Sequence, residues 1–324
     1  MDVSVIIVNW NTHDILRECL LSIYEQTKTV DFEVVVVDNG STDGSAEMVK
    51  EEFRDVILIA NSSNKGFAAA NNQGITVAKG RYVLLLNSDT VILDNAVART
   101  VAFADAHPEA AAVGCRVLNP DRTLQPTCFM FPSILNLFLS SLYLYKLFPR
   151  SRFFGRERMR WWKRDNIREV DVVTGCFMLV RREAIEQVGM MDERFFVYGE
   201  ETDLCYRFKQ AGWKIIFTPD AEIVHLGGAS SSQIKPQMYL QLRGSILLFF
   251  RKHRGWPVYW AACLLMALFF TVRMPYWLVR AIFSGQQQDN YLEKVHALII
   301  GAGYAIRGGK RLRQNYDRET KSIL

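Results

Sequence analysis

Three short runs of the sequence carry acids of interest, and each invites a different piece of chemistry. Asp38 ends an apolar run and leads into Asn39-Gly40-Ser41-Thr42-Asp43-Gly44. A carboxylate so placed can accept a hydrogen bond from a ring N–H such as that of a pyrimidine base, and the glycines let the chain turn close to a ligand. The same residues also read as a plain strand-to-helix turn with Ser41 or Asp43 capping the next helix. For Asp43 the cap is the simpler reading; for Asp38 both stay open. Asn87-Ser88-Asp89 follows the apolar run 82–86. One carboxylate there can hold a divalent ion, Mg²⁺ or Mn²⁺, that also ligates a diphosphate; capping a helix over 94–106 is the alternative. Glu200-Glu201-Thr202-Asp203 enters a helix behind the aromatic run 195–198 and Gly199. The helix dipole favours acids in a first turn whatever they do, but the aromatic run before them suits the wall of a sugar-sized pocket. His225 offers an imidazole nitrogen as a second metal ligand, with a structural role as the alternative. Asn64-Lys65-Gly66-Phe67 opens a helix, where N–H groups and a lysine suit a phosphate or ribose.

These residues need a frame that brings them together. Short runs rich in Val, Ile and Leu at 3–8, 33–37, 56–60 and 82–86 alternate with helical spacings at 15–24, 45–53 and 68–78. That alternation predicts a mostly parallel sheet covered by helices on both faces. Ligands bind such sheets at the carboxyl ends of the strands, and polar residues follow every one of these runs: Asn9, Asp38, Asn61 to Gly66, and Asn87 to Asp89. Further on, one long strand is expected over 172–180, helices over 183–188 and 201–210, and a β-like pair at 215–217 and 222–225. Between the halves, 134–148 is apolar around most of a helix. Directly after it, residues 150–168 hold eight Lys or Arg against two acids, Glu157 and Asp165.

The 324 residues are enough for one large α/β domain and an appendage, and 49% apolar content predicts a packed core. A net charge of +5 is too mild for a nucleic-acid binder. Six scattered cysteines without a CxxC pair argue against structural zinc and a disulfide scaffold, with Cys19 and Cys176 expected as buried thiols in a reducing compartment. Residues 1–8 lack a basic leader region, so the catalytic part is expected in the cytoplasm. Residues 258–272 carry no charge but fall short of the roughly 20 residues a straight membrane span needs. Basic clusters on both sides (Arg251 to Arg254; Lys310, Arg311, Arg313) fit a re-entrant or interfacial helix better than one crossing.

Taken in order, residues 3–11, 36–44, 64–68 with 71–74, 85–89, 175–182, 189–196 and 199–207, then Gly212, Trp213 and His225, resemble the GT-A-fold family 2 glycosyltransferases. The resemblance is narrower to the rhamnosyltransferase-like branch and covers roughly residues 1–230. It implies an inverting transfer of a sugar from a nucleotide-sugar donor, dTDP-rhamnose first and UDP-linked galactofuranose or N-acetylglucosamine next. It implies a nucleotide-sugar site of Val8, Asn9, Asp38, Asn64, Lys65, Gly66, Phe67, Asn87 and Ser88, with Asp38 as the base-recognising acid. Asp89 would be the metal ligand, with Asn87 standing where the family's motif has its first Asp, and His225 would complete the metal shell. Glu201 would be the catalytic base in a pair that here reads Glu-Glu, so that Glu200 is a rival, and Asp203 a supporting or acceptor-binding acid. The implied partners are a lipid-linked, polyprenyl-diphosphate glycan acceptor and a membrane surface, without nucleic acid; a homo-oligomer is compatible. Residues 1–230 would form the catalytic domain at the cytoplasmic face, with 127–168 facing membrane and acceptor, and 231–324 a membrane-associated helical region, peripheral, monotopic or with one short membrane segment. Arginines of 150–168 would meet the diphosphate or anionic headgroups, with Trp161 and Trp162 at the interface; a solvated basic loop is the alternative.

Nucleotidyl transfer predicts a glycine-rich loop with Arg or Lys after the first strand, where this chain has Asn9-Trp10-Asn11-Thr12. A non-catalytic nucleotide-sugar binding or scaffold protein has no need of the acids around Glu201. Gly301-Ala302-Gly303 lacks the third glycine of a dinucleotide loop.

Overall fold

The computed structural model describes residues 1–227, 235–283 and 288–309. Its elements in chain order begin with β1 (Val3–Asn9), α1 (His13–Gln26), β2 (Phe32–Asp38), α2 (Ser45–Glu52), β3 (Ile57–Ala60), α3 (Phe67–Val77) and β4 (Tyr82–Asn87). There follow β5 (Thr90–Ile92), α4 (Ala96–Ala106), β6 (Ala110–Leu118), β7 (Cys128–Phe129), α5 (Ile134–Ser141) and α6 (Leu144–Leu147). Next come β8 (Arg168–Glu169), β9 (Val172–Val173), β10 (Phe177–Arg181), α7 (Arg182–Val188), α8 (Glu200–Gln210) and β11 (Lys214–His225). The chain closes with α9 (Lys235–His253), α10 (Trp256–Thr271), α11 (Met274–Phe283) and α12 (Gln288–Ile306). The basic residues Lys310, Arg311 and Arg313 and the boundary expected at 230/231 lie outside the described residues. Two compact units emerge: one from residues 1–131, 162–196 and 200 through β11, the other from 132–161, 197–199 and the helices from α9 onward.

The first unit is a nine-stranded mixed sheet in the order β3-β2-β1-β4-β10-β6-β11-β5, with β8 on β11. The longer ladders, β1 with β2 and β4 and β6 with β11, are parallel, while β10, β5 and β8 run antiparallel to their neighbours. Val3, Val5, Ile6 and Ile7 of β1 are all fully buried, which is why that strand reads as a continuous apolar run. Each such side chain contributes about 1.5–3 kcal/mol on leaving water. Leu16, Cys19, Leu20 and Ile23 of α1, spaced as one helix face, are buried in the same core. Across the sheet α3 needs small residues: a Cβ on Gly74 would come within 2.5 Å of the Ile6 side chain. The parallel register aligns Asn9 with Asp38, and Val8 with Asn87, so the ends of three strands share one rim.

Three sequence expectations are corrected. The strand expected over 172–180 is β9 and β10 separated by Thr174-Gly175-Cys176, because β9 pairs with β7 in a separate small sheet while β10 fills the gap between β4 and β6. The β-like pair at 215–217 and 222–225 is one strand, β11, with an irregularity between Phe217 and Glu222. The helix expected over 134–148 breaks into α5 and α6 at Tyr143, whose φ is +58°.

The second unit has its own core of Leu137, Phe250, Met266, Phe270 and Leu298, where α10 packs on α5, α9 and α12. Arg273, the charge that interrupts the apolar C-terminal run, is buried here. It donates to the Phe269 (2.6 Å), Ser140 (2.8 Å) and Ser141 (3.2 Å) carbonyls, satisfying the open end of α5 and explaining where that helix stops. Among the described residues, Trp256–Phe283 is the stretch long and apolar enough to cross a bilayer by length and composition, with mean hydropathy 1.7; it is divided at Val272-Arg273. Helix α10 is apolar on its buried side (Cys263, Met266, Phe270) and on its exposed side (Trp260, Leu264, Leu268).

Candidate active site

The rim of the parallel strands is wired together by side chains. Asp38, at the end of β2, is only 3% exposed; its Oδ1 accepts from Asn9 Nδ2 (3.0 Å) and its Oδ2 from the Ser41 N–H (2.9 Å). Asn9 Oδ1 in turn accepts from the Thr12 hydroxyl (2.6 Å), which lies 3.1 Å from Ser88 Oγ. A continuous polar chain thus runs from Asp38 through Asn9 and Thr12 to Ser88, next to Asp89. Asp43 behaves as a cap, accepting from the Ser45 N–H (3.1 Å) at the start of α2 and from the His13 N–H (2.9 Å) at the start of α1. Asn39 organises the next loop: its Nδ2 donates to Asn64 Oδ1 (2.9 Å) and the Gly66 carbonyl (3.3 Å), and its Oδ1 accepts from the Lys65 N–H (3.0 Å). Lys65 is exposed. Gly66 has φ +90°, and a Cβ there would fall 2.7 Å from the Phe196 ring and carbonyl, so only glycine fits between α3 and the chain leading to α8. Phe67 closes this contact by donating its N–H to the Phe196 carbonyl (2.6 Å).

Asp89 lies in the turn from β4 to β5, not at the start of α4, so it caps no helix. The β5–β11 ladder sets Thr90 opposite His225, and the Leu226 N–H donates to the Asp89 carbonyl (2.9 Å). His225 Nε2 is consequently 3.1 Å from Asp89 Oδ1 and 3.2 Å from Asn87 Nδ2. Its other nitrogen, Nδ1, is 2.6 Å from Gln125 Oε1, and Gln125 Nε2 donates to the His225 carbonyl (3.3 Å). In the tautomer whose Nδ1–H donates to Gln125 Oε1, Nε2 keeps its lone pair for a cation beside Asp89. A carboxylate and an imidazole nitrogen facing one another this closely fit a divalent ion that takes its remaining ligands from a diphosphate and water. Among the described residues no group of three or more His, Cys, Asp or Glu gathers as a self-sufficient metal cage.

The three acids at the start of α8 differ sharply. Asp203 is fully buried and accepts from Arg207 Nε (2.9 Å); Arg207 also donates to the carbonyls of Val188, Gly189 and Met190 at 2.7–2.9 Å. Of the two roles the sequence left to Asp203, this is the supporting one: it anchors α8 to the end of α7. Glu200 is 3% exposed and its Oε2 has no hydrogen-bond partner. Burial, aided by the charge of Glu201, holds its carboxyl well above the ordinary carboxylate range. Glu201 beside it is partly exposed. The Cys176 thiol senses both ends of the site: burial pushes it up to about 12, and the charges of Asp89 and Glu201 both add to the shift. Cys176 also accepts the Asn87 N–H with its carbonyl (3.2 Å), which holds the turn between β9 and β10 against the end of β4.

Other expectations fare differently. Phe195 is wholly buried in the core and forms no pocket wall. Trp162, expected at an interface, is 4% exposed and packs edge-on against Phe217 (4.8 Å). Arg164 and Arg168, from the basic stretch, stand over its ring, and the buried Arg164 donates to the Trp162 carbonyl (2.7 Å). All six cysteines are buried and free. Gln125, Thr12, Asn39 and Arg207 carry no motif of their own. Only Arg207 was signalled, four residues after Asp203 on one helix face.

The chain is similar to known glycosyltransferases. The chain is 28% identical over 248 residues to an N-acetylglucosaminyl-diphospho-decaprenol L-rhamnosyltransferase of Mycobacterium tuberculosis, spanning 70% of this chain and 78% of that protein. It is 25% identical over 252 residues to the low-salt glycan biosynthesis hexosyltransferase Agl10 of Haloferax volcanii, spanning 76% and 75% of the two. In fold it is similar to the mannosyltransferase PcManGT of Pyrobaculum calidifontis, solved with GDP-Man and Mn²⁺: TM-score 0.57 at 20% identity, over 96% of this chain and 84% of that one. The fold is GT-A. The profile of glycosyl transferase family 2 matches residues 4–189, and the chain belongs to that family of glycosyltransferases.

Proposed function

We propose that this glycosyltransferase moves rhamnose from dTDP-rhamnose, with inversion, onto a polyprenyl-diphosphate-linked glycan at the cytoplasmic face of a membrane. The observation that carries the site is the polar rim at the strand ends, where Asp38 is tied to Ser88 through Asn9 and Thr12 and Asp89 stands 3.1 Å from His225 Nε2. The donor and acceptor are supported by the mycobacterial relative, whose name specifies rhamnosyl transfer to a diphospho-decaprenol-linked sugar.

In this reading Asp38 and Asn9 receive the base of the nucleotide, with Val8 beside them on β1. The loop from Asn64 to Phe67, at the amino end of α3, takes the phosphate or ribose, where the helix dipole favours an anion. Asp89 and His225 would hold Mg²⁺ or Mn²⁺, with Asn87 and Ser88 flanking the leaving group. When bound, such an ion takes up negative charge that grows on the departing nucleoside diphosphate. Glu201 accepts the proton of the acceptor hydroxyl as it attacks the anomeric carbon; Glu200, buried and with its proton affinity raised, is the weaker candidate for that base. Residues 1–230 form the catalytic part and 231–324 the membrane-associated part. The apolar exposed residues of α10 to α12, among them Trp256, Leu264, Ile282 and Phe283, support a peripheral or monotopic attachment in the headgroup region.

A donor screen on the detergent-supported full chain with Mn²⁺ tests the reading by following release of dTDP against UDP. Release from dTDP-rhamnose, lost in both Glu201→Gln and Asp89→Ala, is expected. Preference for a UDP-linked hexose overturns the donor, and undiminished turnover in both variants overturns the site.

A further inference from the structure

The helical second unit contains a solvent-open pocket whose wall carries three arginines. Arg158 and Arg160, from the chain after α6, and Arg243, from α9, line it together with Ser140, Tyr145 and Glu157. The Arg243 guanidinium lies 4.2 Å from the Phe269 ring centre and 5.4 Å from that of Tyr239. Held against these rings, its Nε is buried and finds no acceptor among the described residues. A buried donor without a partner is costly, and an anion entering the pocket would supply one. Glu157 is the single carboxyl set against three guanidiniums. Burial raises its proton affinity while Arg243 opposes that shift, so its counter-charge is weakened.

The surroundings narrow the ligand class. Phe154, in the pocket wall, touches the rings of Phe148 and Phe153, both at 5.2 Å, and Leu147, Phe148 and Phe153 are all more than half exposed. A cationic hollow opening among exposed apolar side chains matches a molecule that joins a phosphate to a hydrocarbon chain. Guanidinium forks grip phosphate oxygens in pairs, and the aromatic rim offers dry surface for the chain.

We propose that this pocket binds the diphosphate of an isoprenoid-linked substrate, with Arg158, Arg160 and Arg243 on the phosphate oxygens and Leu147, Phe148 and Phe153 along the prenyl chain. The proposal rests on the lipid-linked acceptor reading above and changes its detail. Arg164 and Arg168 are excluded, being occupied with Trp162, and Arg243 is recruited from outside the basic stretch.

Binding of geranylgeranyl diphosphate to the full chain in neutral detergent, measured by calorimetry, tests it against three further probes: inorganic pyrophosphate, geranylgeraniol, and phosphatidylcholine vesicles carrying phosphatidylglycerol. The variants are Arg158→Ala/Arg160→Ala, at exposed positions where folding is not at risk, and Arg243→Gln, whose folding is checked by its melting curve. Charge-assisted hydrogen bonds to phosphate predict a loss of at least about tenfold in affinity for the diphosphate lipid in the double variant, with geranylgeraniol not bound and pyrophosphate bound more weakly than the lipid. Unchanged affinity in the double variant overturns the site. Equal binding of pyrophosphate and the lipid overturns the part played by the prenyl chain. An equal loss of binding to the phosphatidylglycerol vesicles assigns the pocket to membrane headgroups and overturns its acceptor role. Binding of dTDP with Mn²⁺, measured in the same variants, should be unchanged. If wild-type protein binds the diphosphate lipid through these arginines but transfers no sugar to any lipid-linked acceptor, the pocket stands and the acceptor reading falls.

Discussion

Replacing Glu200 and Glu201 by glutamine, one at a time, separates two adjacent carboxyls that the geometry treats as different chemical species. Glu200 is buried, has an oxygen without a partner among the described residues, and has its proton affinity raised by burial and by the charge of its neighbour. Glutamine is a near-isosteric, neutral substitute for a neutral acid, and volume-conserving swaps of this kind cost under about 1.5 kcal/mol. Glu200→Gln should therefore keep kcat within about tenfold of wild type. Glu201→Gln removes the proton acceptor, a loss of about 10²–10⁴, or roughly 2.7–5.4 kcal/mol at 1.36 kcal/mol per decade. Stability supplies an independent readout. Because the folded-state pKa of Glu200 lies above its unfolded value, the folded chain binds the extra proton, and stability declines as pH rises from the unfolded value through the folded one. Glu200→Gln abolishes that decline, so the variant should gain stability relative to wild type as the pH is raised from 5 towards 9. Initial rates at saturating donor, with melting temperatures across that pH range, measure both effects. If Glu200→Gln is as inactive as Glu201→Gln, or if the difference in melting temperature between Glu200→Gln and wild type is independent of pH, the assignment of neutral partner and base is wrong.

Asp203→Ala should destabilise the protein by about 3–5 kcal/mol in urea unfolding, because it strands Arg207 in a largely buried network; a loss below 1 kcal/mol would make the pair dispensable. Gln125→Ala releases His225 Nδ1 and should weaken Mn²⁺ binding about 10–100-fold, read by titration of the ion's spin signal. Unchanged affinity there would remove His225 from the metal shell. Gly66→Ala forces a side chain into a left-handed backbone and onto Phe196, and should cost about 1–3 kcal/mol of stability together with a raised donor KM.

The strand-by-strand plan of the amino-terminal half was legible because its signals are local. Val- and Ile-rich runs bounded by glycine and asparagine declare both the strands and the ends at which they turn, and parallel ladders then bring Asn9, Asp38 and Asn87 to one rim. Elements whose length depends on a distant partner were misjudged. The run 172–180 breaks because β9 and β10 answer to different sheets, and 134–148 breaks where Arg273, more than a hundred residues later, takes up the carbonyls at the end of α5.

The site divides the same way. Residue types and order along the chain marked Asp38, Asp89, Glu201 and His225 as candidates, since a strand end or a first helical turn is a local feature. They could not tell Glu200 from Glu201 or a cleft-facing Asp203 from one turned to Arg207, because acids in a first helical turn look alike until packing decides which loses its water. Nor could they find Gln125, whose role consists wholly of lying 2.6 Å from an imidazole one hundred residues away. Desolvation and long-range contact are properties of the folded chain, and those two effects set the protonation of Glu200, the direction His225 faces and the burial of Trp162.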